Sequence, residues 1–267
     1  MSEAREVALI SGAGRGIGAG TAKVLGRRGY RVVVNYLRDA EAAAGVVKAI
    51  ESEGGAAQAV RADVCDEDQV AAMVDRVVGE HGRIDVLVCN ANTAPPTFEP
   101  LPALPWSGFE SKLVRELSGA FFLTRQVLAV MRERRAGRIV FVSSTAADAG
   151  AGSIPHSAAK AALNAFSRHV AGDAARSGVA VTTVAPGFVL TEASAAAMVP
   201  GLREYLEERS LLGRLLEPED VGRVIAQVAD RRFTAATGQL VTVDGGMDLL
   251  AQTLSGLTPE GGDREPA

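Results

Sequence analysis

Short runs of β-branched and apolar residues alternate with longer segments of helical periodicity along most of this chain. The seven strand candidates are EVALI, RVVVN, AAQAVRA, IDVLVC, GRIVFVSS, GVAVTTVA and QLVTV. The periodicity predicts helices over residues 18–28, 40–53, 67–81, 106–133, 156–177 and 218–231. Strands separated by helices pair in parallel and bury both faces of their sheet. The sequence therefore predicts an α/β fold, a single doubly wound domain whose seven-stranded parallel sheet carries helices on both faces.

Length, charge and cysteine content narrow the class of protein. The 267 residues suit one large domain, which we expect over 1–251, followed by a polar, Gly/Pro-rich and disordered tail over 252–267. The net charge of −4, without a block of basic residues, excludes a nucleic-acid partner. No apolar run is long enough to span a membrane or serve as a signal peptide, so we expect no membrane partner and a cytoplasmic location. Cys65 and Cys89 match no metal-ligand spacing, and no metal site is expected.

Two interruptions of the alternation predict where a ligand binds. Five prolines crowd residues 95–105 after the fourth strand, at the carboxyl edge where open α/β sheets bind ligands. Residues 192–216, after the sixth strand, are expected to form a helical lid over the same edge. Phe98, Trp106 and the apolar lid residues indicate a small-molecule or carrier-bound substrate of apolar, polyketide-like character, although packing of the lid itself explains them too.

The stretch VALISGAGRGIGAG joins the first strand to the first helix. Gly12, Gly16 and Gly18 are spaced as G-x-x-x-G-x-G, which allows a tight turn and brings backbone amides close to a pyrophosphate. The pyrophosphate would then lie at the positive end of the helix. Packing alone also produces glycine-rich turns, so this motif does not decide the function by itself.

The segment SGAGRGIG resembles the cofactor turn of the short-chain dehydrogenase/reductase family, and the likeness extends over about residues 5–248. RADV, LVCNAN, FVSS, VAPGFVLT, LLGRLLEPEDVG and TGQLVTVDGG follow in the family's order and spacing. The chain looks most similar to the 3-oxoacyl-carrier-protein reductase branch. The resemblance implies a Rossmann-like fold, a nicotinamide cofactor, and homodimers or homotetramers formed through the fourth and fifth helices. It places the cofactor on Gly12, Arg15, Gly16, Ile17, Gly18, Tyr36, Arg38, Asp63, Val64, Asn90, Ala91, Lys160, Pro186, Gly187, Val189 and Thr191.

The end of the second strand indicates which nicotinamide is used. A carboxylate at this position would bind both ribose hydroxyls and repel a 2′-phosphate, but the residue here is Tyr36. Arg38 follows it, and Arg15 lies in the glycine turn. Each arginine taken alone could be a solvated surface charge. Together, and without the acid, they predict NADP(H).

The resemblance also implies a catalytic set. Family members use a serine that orients the carbonyl, a tyrosine acid, a lysine that lowers the tyrosine pKa and binds the nicotinamide ribose, and a helix asparagine that anchors a water relay. Ser144 and Lys160 match two of these, with Ser143 as the alternative serine because the spacing varies. His156 occupies the position of the tyrosine, and Glu116 that of the asparagine.

These departures leave three functions open. The first is an NADPH-dependent reductase of a ketone or related C=X group, in which His156, with an ordinary pKa of about 6.5, or a water it holds donates the proton. The second is a non-redox cyclase, dehydratase or isomerase in which His156 and Glu116 act as an acid/base pair. The third is an inactive cofactor-binding homologue. A carboxylate at 116 could pair with Lys160 or His156, and Asn92 places a side chain near the cofactor where the family has a glycine.

Overall fold

Seven strands form one parallel sheet in a computed structural model that describes residues 5–149, 152–233 and 235–247. The strands are β1 (Val7–Ile10), β2 (Arg31–Tyr36), β3 (Ala56–Arg61), β4 (Val86–Cys89), β5 (Gly137–Val142), β6 (Val179–Pro186) and β7 (Leu240–Val243). All seven predicted strands are confirmed within a residue or two of the expected bounds. The tail predicted over 252–267 lies outside the described residues.

Eight α-helices lie between these strands in the described part of the chain. They are α1 (Gly16–Arg27), α2 (Ala40–Ser52), α3 (Glu67–His81), α4 (Trp106–Arg134), α5 (Ile154–Ala174), α6 (Glu192–Ala196), α7 (Leu202–Arg209) and α8 (Pro218–Val228). Side chains cap the amino ends of α2, α3 and α5, since Asp39, Asp66 and Ser153 each accept a backbone N–H from the first turn. The segment expected as a lid, 192–216, contains α6 and α7.

The strand order is β3-β2-β1-β4-β5-β6-β7, with every neighbouring pair parallel. The apolar side chains of successive residues in β5 point to opposite faces, so Phe141 packs toward α3, α4 and α5 while Val140 packs toward α1, α2 and α8. Two buried apolar cores therefore cover the two faces of the sheet, and the doubly wound fold is confirmed.

The strand order changes direction between β1 and β4, because β2 and β3 lie on one side of β1 and the later strands lie on the other. In open α/β sheets the crevice at the carboxyl ends of two such strands is where ligands bind. The glycine turn follows β1 and Asn90 follows β4, so the sequence motifs meet at this crevice. None of the helices in the described ranges is both long and apolar enough to cross a membrane.

Candidate active site

The glycine turn is locked to the end of β4. Gly12 and Gly16 have φ values of 61° and 54°, which residues with a side chain rarely adopt. The Asn90 side-chain Nδ2 donates to the carbonyl oxygens of Ser11 at 2.9 Å and Gly12 at 3.2 Å. A Cβ at Gly18 would lie 2.4 Å from the Gly12 oxygen and 2.6 Å from Asn90 Nδ2. Only glycine fits at position 18, because the Gly12 carbonyl oxygen and the Asn90 side chain leave no room for a Cβ there.

The residues at the crevice fit a dinucleotide. Helix α1 has no side-chain cap, unlike α2, α3 and α5, so its first amides have no side-chain acceptor. Such an amino end is suited to a pyrophosphate. The loop after β6 comes close to the same turn, because a Cβ at Gly16 would lie 3.4 Å from the methyl carbon of Thr191. Thr191 also begins α6, and its Oγ1 accepts the Ser194 N–H at 3.1 Å.

The residues predicted to bind the adenosine end of the cofactor lie at the carboxyl ends of β2 and β3 and in the glycine turn. Tyr36 ends β2 and is partly exposed, whereas Arg15 and Arg38 are exposed. In the described ranges neither guanidinium makes a hydrogen bond or ion pair with the protein. Asp63 follows β3 and accepts the Cys65 N–H at 2.9 Å.

Lys160 lies in α5 and is only 6% exposed. Its Nζ donates to Glu116 Oε1 at 2.5 Å and to the carbonyl oxygen of Val142, the last residue of β5, at 2.8 Å. An ammonium group has three N–H donors, so one remains for a ligand at the carboxyl edge. Of the two pairings considered for a carboxylate at 116, the structure shows the one with Lys160.

A second lysine, which the sequence analysis missed, completes this site. Lys112 lies one turn before Glu116 in α4, is 1% exposed, and donates to Glu116 Oε2 at 2.8 Å. Its other two donors go to Asn92 Oδ1 at 2.5 Å and to the Ala94 carbonyl oxygen at 2.9 Å. The Asn92 side chain is thus engaged by Lys112. A lysine four residues before a glutamate is normally read as a solvated helix pair.

A signal for the burial of Lys112 does exist in the sequence. Residues 112, 116, 120, 123 and 127 recur at helical spacing, and in the structure all five are buried on one face of α4. The apolar members of this stripe place Lys112 and Glu116 on the side of the helix that faces the sheet.

Burial and the neighbouring charges shift the pKa values of Glu116 and His156. Burial raises the pKa of Glu116, but Lys160 and Lys112 outweigh it and lower the pKa to about 2. Burial, and then the positive charges of Lys160 and Lys112, lower the pKa of His156 to about 4, with partial opposition from Glu116. At neutral pH the site therefore holds a carboxylate between two lysines, beside a neutral imidazole.

His156 occupies the first turn of α5, where its backbone N–H donates to Ser153 Oγ at 3.4 Å. The ring atom Nδ1 is buried and has no hydrogen-bond partner among the described residues. The two candidate serines follow the carboxyl end of β5. Ser143 Oγ is buried without a partner among those same residues, whereas Ser144 is partly exposed and accepts the Ala146 N–H at 3.1 Å.

A doubly wound parallel sheet with a glycine turn at its switch point defines the class of dinucleotide-binding folds. Within that class, a family model described as enoyl-(acyl carrier protein) reductase matches residues 12–248. The chain belongs to this family of short-chain dehydrogenases/reductases, which are oxidoreductases.

Curated relatives match over nearly their whole length. The chain is 38% identical to cis-4-hydroxycyclohexanecarboxylate dehydrogenase of Sinomonas cyclohexanicum and 36% identical to 3-oxoacyl-[acyl-carrier-protein] reductase of Synechocystis sp.. Each alignment covers 91% of this chain and 96% of the relative. The likeness to the 3-oxoacyl-carrier-protein reductases thus extends through the whole domain.

Solved structures share the fold. A gluconate 5-dehydrogenase from Burkholderia cenocepacia, in complex with NADP and tartrate, superposes with a TM-score of 0.83 at 30% identity, covering 91% of this chain and 95% of that one. A 7α-hydroxysteroid dehydrogenase complexed with NADH and 7-oxo glycochenodeoxycholic acid gives 0.85 at 29% identity, covering 90% and 93%.

Proposed function

We propose that the protein is an NADP(H)-dependent oxidoreductase that reduces a ketone or a related C=X group. The observation that carries the proposal is the meeting of three features at one sheet edge. These are the glycine turn with its uncapped helix end, Thr191 beside it, and the buried ammonium group of Lys160 with one donor to spare. A nicotinamide bound there supplies the hydride.

The cofactor would be held mainly by backbone and by cations. The amides at the amino end of α1, from Gly16 to Gly18, would bind the pyrophosphate, since the amides of Gly12 and Ala13 already donate to Asn35. Lys160 would bind the nicotinamide ribose with its third N–H. Arg15 and Arg38, which have no partner in the described ranges, would bind a 2′-phosphate. The two solved relatives carry NADP in one case and NADH in the other, so the choice of NADP(H) rests on these arginines.

His156 would act as a neutral hydrogen-bond donor. With a pKa of about 4, its ring carries a single N–H at neutral pH. A neutral imidazole can polarise a carbonyl oxygen through that N–H. Water at the open edge of the site would then deliver the proton to the alkoxide. Ser144, the serine nearer to solvent, would orient the carbonyl, with Ser143 as the alternative.

The contacts of Glu116 favour this function over non-redox acid/base catalysis. A carboxylate with a pKa of about 2, bound by two ammonium groups, neither carries a proton nor readily accepts one at neutral pH. A His156/Glu116 acid/base pair would need a Glu116 carboxyl group that gains and loses a proton near neutral pH. An inactive homologue would bind NADP(H) yet never turn it over, and turnover assays separate that case.

The substrate is proposed to be apolar or carrier-bound. Phe98 and Trp106, on the loop and helix that follow β4, are 71% and 70% exposed, and Val199 in the 192–216 segment is 59% exposed. Exposed apolar side chains mark a binding surface where they lie together, which we propose for these three residues. The names of the relatives include both a carrier-protein reductase and a dehydrogenase of a small cyclic acid.

The test is a titration of the purified protein with NADPH and with NADH, followed by fluorescence or calorimetry. We expect tighter binding of NADPH. Arg38→Ala should weaken NADPH binding at least about tenfold, since a hydrogen bond to a charged group contributes about 1.5–3 kcal/mol, and leave NADH binding unchanged. The control is Arg76→Ala, an exposed arginine on α3, which should change neither affinity. Binding of neither nucleotide, or a preference for NADH that Arg38→Ala does not alter, would contradict the proposal.

A further inference from the structure

Four side chains from three parts of the fold form one connected network. Asn92 follows β4, Lys112 and Glu116 lie on α4, and Lys160 lies on α5. Hydrogen bonds of 2.5, 2.8 and 2.5 Å link them in that order. Asn92 and Glu116 stand at two of the positions where the sequence departs from the family pattern. The departures are therefore physically joined, and Lys112 joins them.

Lys112 does no chemistry of its own. All three of its N–H donors are used, on Asn92, Ala94 and Glu116, and its side chain is 1% exposed. It has no donor left for a substrate or cofactor. Its contribution must therefore pass through the groups that it holds.

The orientation of Glu116 depends on both lysines. Among the described residues, Oε1 accepts only from Lys160 and Oε2 only from Lys112. Without Lys112, a buried carboxylate oxygen would lose its partner, which is costly enough to make the carboxylate turn or draw Lys160 toward it. Lys112 also fixes the residues just before the 95–105 loop, through Asn92 and the Ala94 carbonyl oxygen.

We propose that Lys112 is a positioning residue for the reaction proposed above: it holds Oε2 of Glu116 so that Oε1 fixes the ammonium group of Lys160. It also links the segment just before the 95–105 loop to the same carboxylate. The role of Lys112 in catalysis rests on the proposed function, but its hold on Glu116 and Lys160 can be tested without any substrate.

An electrostatic consequence makes the role measurable. The charged groups that act on the His156 imidazole are Lys160 on its own helix and Lys112 and Glu116 on α4. Two cations and one anion leave an excess positive charge beside the ring, which opposes its protonation. Removing Lys112 alone should make the imidazole easier to protonate. When the charges of Lys112 and Glu116 are removed together, their opposite effects on the His156 pKa should largely cancel.

The experiment is an NMR pH titration of the histidine Cε1–H signals in Lys112→Met. The chain has three histidines, and the His156 signal is assigned by its loss in His156→Gln. We expect the His156 midpoint to rise by about one pH unit, the order of magnitude expected when a nearby charge is removed in a medium of intermediate dielectric. The midpoint in Lys112→Met/Glu116→Gln should return to within about half a unit of the native one. Lys48→Met, an exposed lysine on α2, is the matched control.

A second readout follows the position of Lys160. The Kd for NADPH should rise several-fold in Lys112→Met and not in Lys48→Met. An unchanged His156 midpoint or an unchanged Kd in folded Lys112→Met would overturn the proposal. If that variant does not fold, Lys112→Gln takes its place, because it keeps the Glu116 carboxylate and a polar side chain at 112 but removes the charge and one of the three N–H donors. An unchanged His156 midpoint or an unchanged Kd in Lys112→Gln would overturn the proposal in the same way.

The two proposals fail separately. If NADPH does not bind the native protein, the oxidoreductase proposal fails, while the His156 titration still reports whether Lys112 acts on the site. If NADPH binds and Lys112→Met changes nothing, only the positioning role is lost.

Discussion

At residue 156 an imidazole lies where the sequence resemblance places a phenol, and its surroundings change what it can do. Lys160, one turn further along α5, is the cation that would ordinarily assist a tyrosine by favouring its ionised form. The same cation opposes protonation of a histidine, and burial acts in the same direction. A phenol and an imidazole at this position therefore respond to one lysine in opposite ways. The neutral form of His156 is the form to which any mechanism must be fitted.

The lowered pKa of His156 predicts a loss of stability in mild acid. In the unfolded chain this ring has a pKa of about 6.5, and in the folded protein about 4. As pH falls below 6.5 the unfolded state takes up a proton first, so the free energy of unfolding decreases until pH 4 is reached. His156→Tyr removes this contribution, because a phenol does not titrate in that range.

Thermal unfolding at pH 7 and pH 5 checks this prediction. The fall in Tm between the two pH values should be smaller in His156→Tyr than in the native protein. His169→Gln, an exposed histidine on the same helix, should show the native difference. An equal fall in Tm for His156→Tyr and His169→Gln would show that the ring at 156 titrates normally.

At the scale of elements, strands and most helices were predictable because parallel, doubly covered strands leave a strong apolar signal. β1 is buried throughout and α3 begins and ends at the predicted residues. Helix α1 begins at Gly16, two residues before the prediction, since the turn closes on positive φ values that no periodicity reveals. Lys112 was missed for a related reason. The apolar pattern shows that one face of α4 is buried, but it does not show that three hydrogen-bond acceptors surround the Lys112 ammonium group there.

The fit between the glycine turn and β4 gives a prediction at this scale. In Gly18→Ala the new Cβ would meet the Gly12 carbonyl oxygen and Asn90 Nδ2, both held by hydrogen bonds, so the turn must shift. We expect the free energy of unfolding to fall by about 1–3 kcal/mol. NADPH binding should weaken at least about tenfold, because the amides that face the pyrophosphate move with the turn.

Gly45→Ala is the control for that substitution. Gly45 lies inside α2, and a Cβ there meets nothing within 4 Å. Alanine in a helix interior is favoured over glycine by about 1 kcal/mol, so this variant should unfold less readily and bind NADPH normally. Normal NADPH affinity in folded Gly18→Ala would show that the turn does not hold the cofactor.

At the scale of the whole molecule, the sheet is covered on both faces, yet α4 keeps apolar side chains on its outer side. Val114 and Phe121, seven residues apart on one helix face, are 55% and 44% exposed. The Phe121 ring lies 6.2 Å from that of Phe166 on α5, so the apolar surface continues from α4 onto its neighbour. These are the two helices through which the sequence resemblance implies that subunits pair.

We therefore expect the protein to form homodimers or homotetramers, and expect Phe121→Arg to break them. In an interface with two-fold symmetry one substitution is introduced twice, so two guanidinium groups would lose water against an apolar surface. Two unpaired buried charges cost several kcal/mol, enough to shift assembly by at least about a hundredfold. Sedimentation velocity should show the native protein as a dimer or larger and Phe121→Arg as a smaller species. Tyr205 is an aromatic residue on α7 that is 54% exposed, and the control variant Tyr205→Arg should sediment like the native protein. A monomeric native protein would contradict the predicted assembly. An unchanged assembly of Phe121→Arg would show that the subunits do not meet at Phe121.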